Sequence, residues 1–185
     1  MLKDLLHDME DKARKSIEAS KREIASIRTG RANPALLDRI HVEYYGNETP
    51  LNQVANISVP EPRLLVIQPW DKSMVSIIER AIAKSDLDLP TSSDGQVIRI
   101  AIPQLTEERR RDLVKVVGRK IEEGRVAIRN VRRDVNDRLK QMEKNGDISE
   151  DDMHRAQEQA QKITDKAIED INEVEKNKEK EIMEV

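Results

Sequence analysis

TEERRRDLVKVVGRKIEEGRVAIRNVRRDVNDRLKQMEKNG, residues 106–146, is the stretch whose reading decides the fold. Its apolar residues Leu113, Val117, Ile121, Ile128, Val131, Val135, Leu139 and Met142 recur at the spacing of one face of a single long α-helix. Thr106 followed by Glu107 and Glu108 is an N-cap with acids in the first turn, and Asn145-Gly146-Asp147 stops the helix. At about 1.5 Å per residue such a helix is roughly 58 Å long. Two further stripes have the same period. One runs Leu2, Leu6, Met9, Ala13, Ile17, Ile24 and Ile27, with Ser20 its one polar position, and ends at Gly30. The other runs Met153, Ala156, Ala160, Ile163, Ala167, Ile171, Val174 and Ile182, and starts after a Ser149 cap with Asp152 at the reciprocal capping-box position. Each stripe is narrow, so the three helices satisfy one another best as an elongated, antiparallel three-helix bundle.

Between the first and second helices the period changes. Ile40, Val42 and Tyr44 alternate before Gly46-Asn47, Ile57 and Val59 precede Pro60, and Leu64 to Ile67 precede Pro69. Val97, Ile98, Ile100 and Ile102 precede Pro103, while Met74, Ile77, Ile78, Ala81 and Ile82 keep helical spacing. The expected fold class is therefore α+β: a bundle of residues 1–30 and 106–185, with a small β/α/β domain, residues 31–105, inserted into it. Two chain segments cross between these parts. Thr29 and Gly30 in one, and Pro103, Gln104 and Leu105 in the other, are the candidate hinge, with Gly30 placed to absorb a backbone change or simply to end a helix.

Composition narrows the function classes. Only 2% of the 185 residues are aromatic and 37% are charged, so the core is aliphatic and much of the chain is solvated helix. Absence of cysteine removes disulfides and thiolate metal sites and fits a reducing, cytoplasmic setting; no apolar run approaches a membrane span. His7, His41 and His154 have no ligand spacing, and neither a phosphate cradle nor a nucleophile elbow is present. The acid pairs Glu107-Glu108, Glu122-Glu123 and Asp151-Asp152 read as caps and solvated faces. The residues point to a protein that is not an enzyme, with no metal and no cofactor.

The net charge of −3 conceals a strong segregation. Residues 106–144 hold 13 basic and 8 acidic side chains, and residues 145–185 hold 6 and 13. With Ile128 at zero on the second helix, Arg132, Arg125, Asn136, Arg129 and Arg133 fall between roughly 40° and 140°, beside the core seam. Arg111 and Lys115 project near the same sector. A guanidinium stripe of this kind grips phosphates. With so few aromatics to stack bases, its expected target is the shape and backbone of folded RNA, with Asn130 and Asn136 as edge readers. The alternative is that these arginines pair with the acidic third helix, as in a coiled-coil adaptor or chaperone that binds no RNA.

Three motifs, Arg-Thr-Gly-Arg-Ala-Asn-Pro at 28–34, Ile-Pro-Gln-Leu-Thr-Glu-Glu-Arg-Arg at 102–110 and Arg-Val-Ala-Ile-Arg-Asn-Val-Arg-Arg-Asp at 125–134, with Trp70-Asp71 between them, resemble the bacterial ribosome recycling factors over the whole chain. The resemblance implies a monomeric translation factor that binds large-subunit rRNA after termination. With GTP-bound elongation factor G it separates the subunits, its inserted domain swinging on the hinge. It implies rRNA contacts at Arg28 and Arg31 near the hinge and at Arg129, Asn130, Arg132 and Arg133 on the basic helix, to which the stripe adds Arg125. Gly124 and Val135 stand where the family usually has alanine. In a helix interior glycine costs about 1 kcal/mol relative to alanine, so both departures are expected to bear on bundle stability.

Overall fold

The structure, a computed structural model, describes residues 1–184. Three long helices form along the stripes, α1 (Leu2–Ala25), α3 (Glu107–Lys144) and α4 (Glu150–Met183), with the short α2 (Val75–Lys84) between the first two; α1 stops at Ala25, short of Ile27 and of the end expected at Gly30. Thr106 Oγ1 accepts the Arg109 N–H at 3.1 Å to start α3, and Ser149 Oγ accepts the Asp152 N–H at 3.0 Å to start α4. Gly146, at φ +80°, closes α3: its N–H reaches Glu143 O and the Asp147 N–H reaches Met142 O. These are the two bonds of a Schellman turn, which only a residue at ease in the left-handed region makes cheaply.

The chain divides into two compact units: Met1–Ile24 with Val114–Lys180, and Ala25–Leu113 with the chain from Glu181 onward. In the first, Met9 of α1, Val135 and Leu139 of α3, and Ala156 and Ala160 of α4 form one buried cluster. Arg125 bonds to Glu175 and Arg132 to Gln161, so numbering rises along α3 as it falls along α4 and the two are antiparallel. Val135 is 7% exposed and packs where Ala156 and Ala160 leave room for its extra volume.

Gly124 corrects the expectation drawn from helix propensity. A Cβ placed on it would stand 2.5 Å from Ile171 Cδ1 of α4 and closer still to Ser20 Oγ of α1. All three helices converge here, and the stripe's polar residue is the small one that fits, buried to 4% exposure. Glycine lets the three helices close here with Ser20 and Ile171 undisturbed, whereas alanine requires both side chains to shift, which offsets its better helix propensity.

The second unit holds a four-stranded antiparallel sheet in the order β3 (Ala55–Glu61), β4 (Leu64–Pro69), β6 (Ile98–Ala101) and β5 (Thr91–Ser93). A separate hairpin pairs β1 (His41–Tyr44) with β2 (Asn47–Pro50). Leu65, Ile67, Ile98 and Ile100 alternate inward and are fully buried under Ile78 and Ile82 of α2. β3 runs past Pro60, where a strand end was expected. It is an edge strand whose register shifts between Ser58 and Glu61, so the missing N–H breaks no ladder.

Replacing Gly124 with alanine, favourable for an isolated helix, is expected to destabilise the bundle by about 1–3 kcal/mol through overpacking. Equilibrium urea unfolding checks this, and a more stable Gly124→Ala protein would show that the helices do not close on that point.

Candidate nucleic-acid interface and joint

The arginine stripe of α3 is graded along its length. Arg125 is committed to the bundle: its side chain is 17% exposed. Its Nε donates to Asn172 Oδ1 at 2.9 Å, its Nη2 to Glu175 Oε1 at 2.8 Å and its Nη1 to Glu122 Oε2 at 3.1 Å. The expected phosphate ligand here spends its fork on α4, which the alternative reading of the charges anticipated. Arg129, at 43% exposure, gives Nη1 to Glu122 Oε1 at 3.0 Å and keeps its other donors. Arg132 meets only a neutral partner, Gln161 Oε1, at 3.3 Å. Arg133 and Asn130 are exposed and make no side-chain bond among the described residues. Positive charge therefore becomes progressively less compensated from Arg125 to Arg133.

Two features of this face go beyond what was read from the sequence. Glu122, expected only as part of a solvated face, sits inside the stripe, and hydrogen bonds first from Arg129 and then from Arg125 hold its carboxyl below the usual carboxylate range. Its position, roughly 120° from Ile128 on the wheel, carried the signal. Val126 is 45% exposed beside Arg129 and Arg133, an apolar contact among the cations. Asn136, within the sector, is partly buried, and its Oδ1 has no hydrogen-bond partner among the described residues.

The candidate hinge residues lie together in the second unit, in a region held by two sets of anchors. On one side the Ala32 N–H donates to Pro62 O at 2.7 Å and the Ile102 N–H to Arg63 O at 2.9 Å, tying both crossings to the β3–β4 turn. On the other, the last turn of α4 holds them. Thr29 Oγ1, in a residue 3% exposed, donates to Glu181 Oε1 at 3.2 Å. Arg31 pairs with Glu184, and Arg110 Nη1 donates to Met183 O at 3.3 Å. Arg110, buried to 8% exposure, had no role assigned from the sequence. Gly30, with open space where a Cβ would be, sits between Thr29 and Arg31, both held by the end of α4, while Pro103, Gln104 and Leu105 lie between Ile102 and Arg110 in irregular backbone. Arg28 is half-buried.

Among the described residues no group of three or more His, Cys, Asp or Glu side chains is placed to hold a metal, and no helix is long and apolar enough to cross a membrane. The ribosome recycling factor family model matches residues 20–183. A ribosome-recycling factor of Halalkalibacterium halodurans is 63% identical over 185 residues, and one of Bacillus subtilis 57%, each alignment covering all of both chains. Among solved structures, a solution structure of the ribosome recycling factor superposes with a TM-score of 0.80 at 47% identity, over 100% of this chain and 98% of that one. A model of the T. thermophilus factor, described together with E. coli elongation factor G bound to the E. coli post-termination complex, superposes at 0.71 and 48% identity over both full chains.

Glu122→Gln is expected to free Arg129 and remove a charge that repels phosphate. Affinity for structured RNA should rise, by roughly threefold or more at low salt. Filter binding at two salt concentrations checks this; unchanged or weaker binding would place the RNA contact elsewhere than on this face.

Proposed function

The chain belongs to the ribosome recycling factor family, and on that premise we propose how it performs the family's task. It is a non-enzymatic translation factor of ribosome recycling. In the proposed mechanism it binds the large subunit of the post-termination ribosome as a cytoplasmic monomer. GTP-bound elongation factor G then acts on it, and the subunits part. The observation that carries the RNA-binding step is the uncompensated end of the α3 stripe. There, Arg129 keeps free donors, Arg132 faces only an amide, and Arg133 is unpaired among the described residues.

We assign rRNA contact to Arg129, Asn130, Arg132 and Arg133, with Arg28 and Arg31 as contacts near the joint. Arg125 is assigned to holding α3 on α4. A planar guanidinium offers two parallel donors to a phosphate, which suits a surface that tracks an RNA backbone. The functional domains are 1–30 with 106–185, and 31–105. The joint between them is Thr29-Gly30 and Pro103 to Leu105, of which Pro103 to Leu105 is the stretch left between the two sets of anchors and Gly30 the residue with open space where a Cβ would be. The energy for subunit separation comes from the partner GTPase, and this chain contributes a rigid helical support and a domain that can be displaced on it.

The adaptor reading draws on one specific observation, the commitment of Arg125 to Glu175, and extends it to the whole stripe. Cosedimentation with purified large subunits separates the two. Wild type is expected to bind less as salt rises, and Arg129→Ala/Arg132→Ala to lose about one unit of salt slope per arginine while unfolding at the wild-type midpoint. If wild type does not sediment with the subunit, the rRNA assignment is wrong. For the joint, Gly30→Ala meets no obstacle in the folded backbone. It is expected to leave large-subunit binding unchanged and to slow subunit splitting severalfold, as light scattering reads it; undiminished splitting removes Gly30 from the hinge.

A further inference from the structure

The second unit carries all three aromatic residues of the chain, and Tyr45 is 82% exposed. Tyr45 and Gly46 are the two central residues of the turn between β1 and β2, with φ +49° and +78°. Glycine is natural there, whereas a bulky side chain in the left-handed region is disfavoured. The Tyr44 ring meets the Tyr45 ring edge-on, centroids 4.5 Å apart. Behind Tyr45 a groove of about 790 Å³ separates the hairpin from α2, and the apolar side chains of Ile77 and Ala81 line it.

Paired carboxylates and paired cations face this groove from its two sides without forming ion pairs with one another. Glu43 and Glu48 stand directly opposite on β1 and β2, an arrangement of like charges that weakens a hairpin when nothing lies between them. Arg80 and Lys84 line the groove from α2. None of these four side chains makes an ion pair or hydrogen bond among the described residues. The lining thus offers the Glu43 and Glu48 carboxylates on the hairpin, with Arg39 and His41 at its foot, the Arg80 and Lys84 cations on the helix, and an aromatic and aliphatic strip with them.

We infer that this groove docks a segment of a partner protein that presents an apolar anchor between a basic residue and an acidic one. The basic residue, arginine by preference, lies between Glu43 and Glu48 with its guanidinium against the Tyr45 ring, a geometry that uses both its fork and its affinity for an aromatic face. The acidic residue meets Arg80 and Lys84. A nucleic-acid strand fits less well, because its phosphates would run past two unpaired carboxylates. An apolar centre with tyrosine and arginine inside a charged rim is instead the make-up of a protein contact. The inference rests on the recycling reading only in taking the post-termination ribosome as the assembly in which the partner is sought.

The test replaces Tyr45 with the photoreactive p-benzoylphenylalanine in the full chain. The protein is irradiated with purified post-termination ribosomes, elongation factor G and GTP, and the attached peptide is identified by mass spectrometry. Expected is a crosslink to protein, at a peptide with arginine or lysine beside the attachment point, reduced at least tenfold by Glu43→Lys/Glu48→Lys. That double variant keeps a like-charged pair across the hairpin, so the loss is not one of folding. A crosslink to rRNA, no crosslink, or a protein crosslink indifferent to the charge reversal overturns the inference. Tyr45→Asn provides a second readout, since asparagine is at ease at positive φ: its thermal midpoint is expected to rise while subunit splitting falls severalfold, and undiminished splitting also counts against the groove. Failure of the wild-type chain to split ribosomes at all overturns the recycling reading, while the crosslink and its charge dependence still decide the groove.

Discussion

Three helices with one narrow apolar face each can bury those faces only by lying together, and the contact that fixes how they do so is the one with no room in it. Gly124 of α3 receives Ser20 from α1 and Ile171 from α4. A close approach of this kind discriminates between registers far more sharply than a seam of leucines, because sliding α1 or α3 by a turn would drive an isoleucine into the gap. Everything that α3 displays is set from there. Val135 joins Ala156 and Ala160 in one buried cluster, Arg125 arrives opposite Glu175, and Arg129, Arg132 and Arg133 form no ion pair with a carboxylate of α4 among the described residues.

The same register divides the arginines by task. A guanidinium at 17% exposure is partly removed from water and has to be satisfied by the protein itself, which Asn172, Glu122 and Glu175 do. One turn further on, the partners become a shared carboxylate, then an amide, then solvent. Compensation fading along a helix gives the molecule a fixed end and a receptive end from one repeated residue type. It lets the acidic α4 stabilise the bundle without cancelling the whole field of α3.

The helices were legible because their signals are local and redundant. Stripe, cap and stop agree at Thr106, Gly146 and Ser149, and the inward alternation of Leu65, Ile67, Ile98 and Ile100 marks two strands equally plainly. Strands β2 and β5 were not legible: Thr91 to Ser93 are small, polar and exposed, and Asn47 to Pro50 are held by pairing with β1 and show little pattern of their own. The helical wheel placed the basic sector correctly but carries no information on which arginine meets a carboxylate across the bundle, since that depends on the rotation and height of a neighbouring helix. Propensity misjudged Gly124 for the same reason: what surrounds it comes from residues far away in sequence.

The β3–β4 turn also bears on how the chain reaches its native state. By bonding Ala32 through Pro62 and Ile102 through Arg63, it holds the two ends of the inserted segment side by side. The segment's strands pair among themselves, so it can fold before the bundle does. Once folded, it converts the link between α1 and α3 from a floppy loop of roughly 80 residues into an effective loop of about a dozen. By the logarithmic law of loop closure this relieves about 2 kcal/mol of the entropy that docking α1 would otherwise lose. The insert thus serves as an internal template in folding, and an interruption that seems to divide the bundle shortens the search by which its distant helices meet.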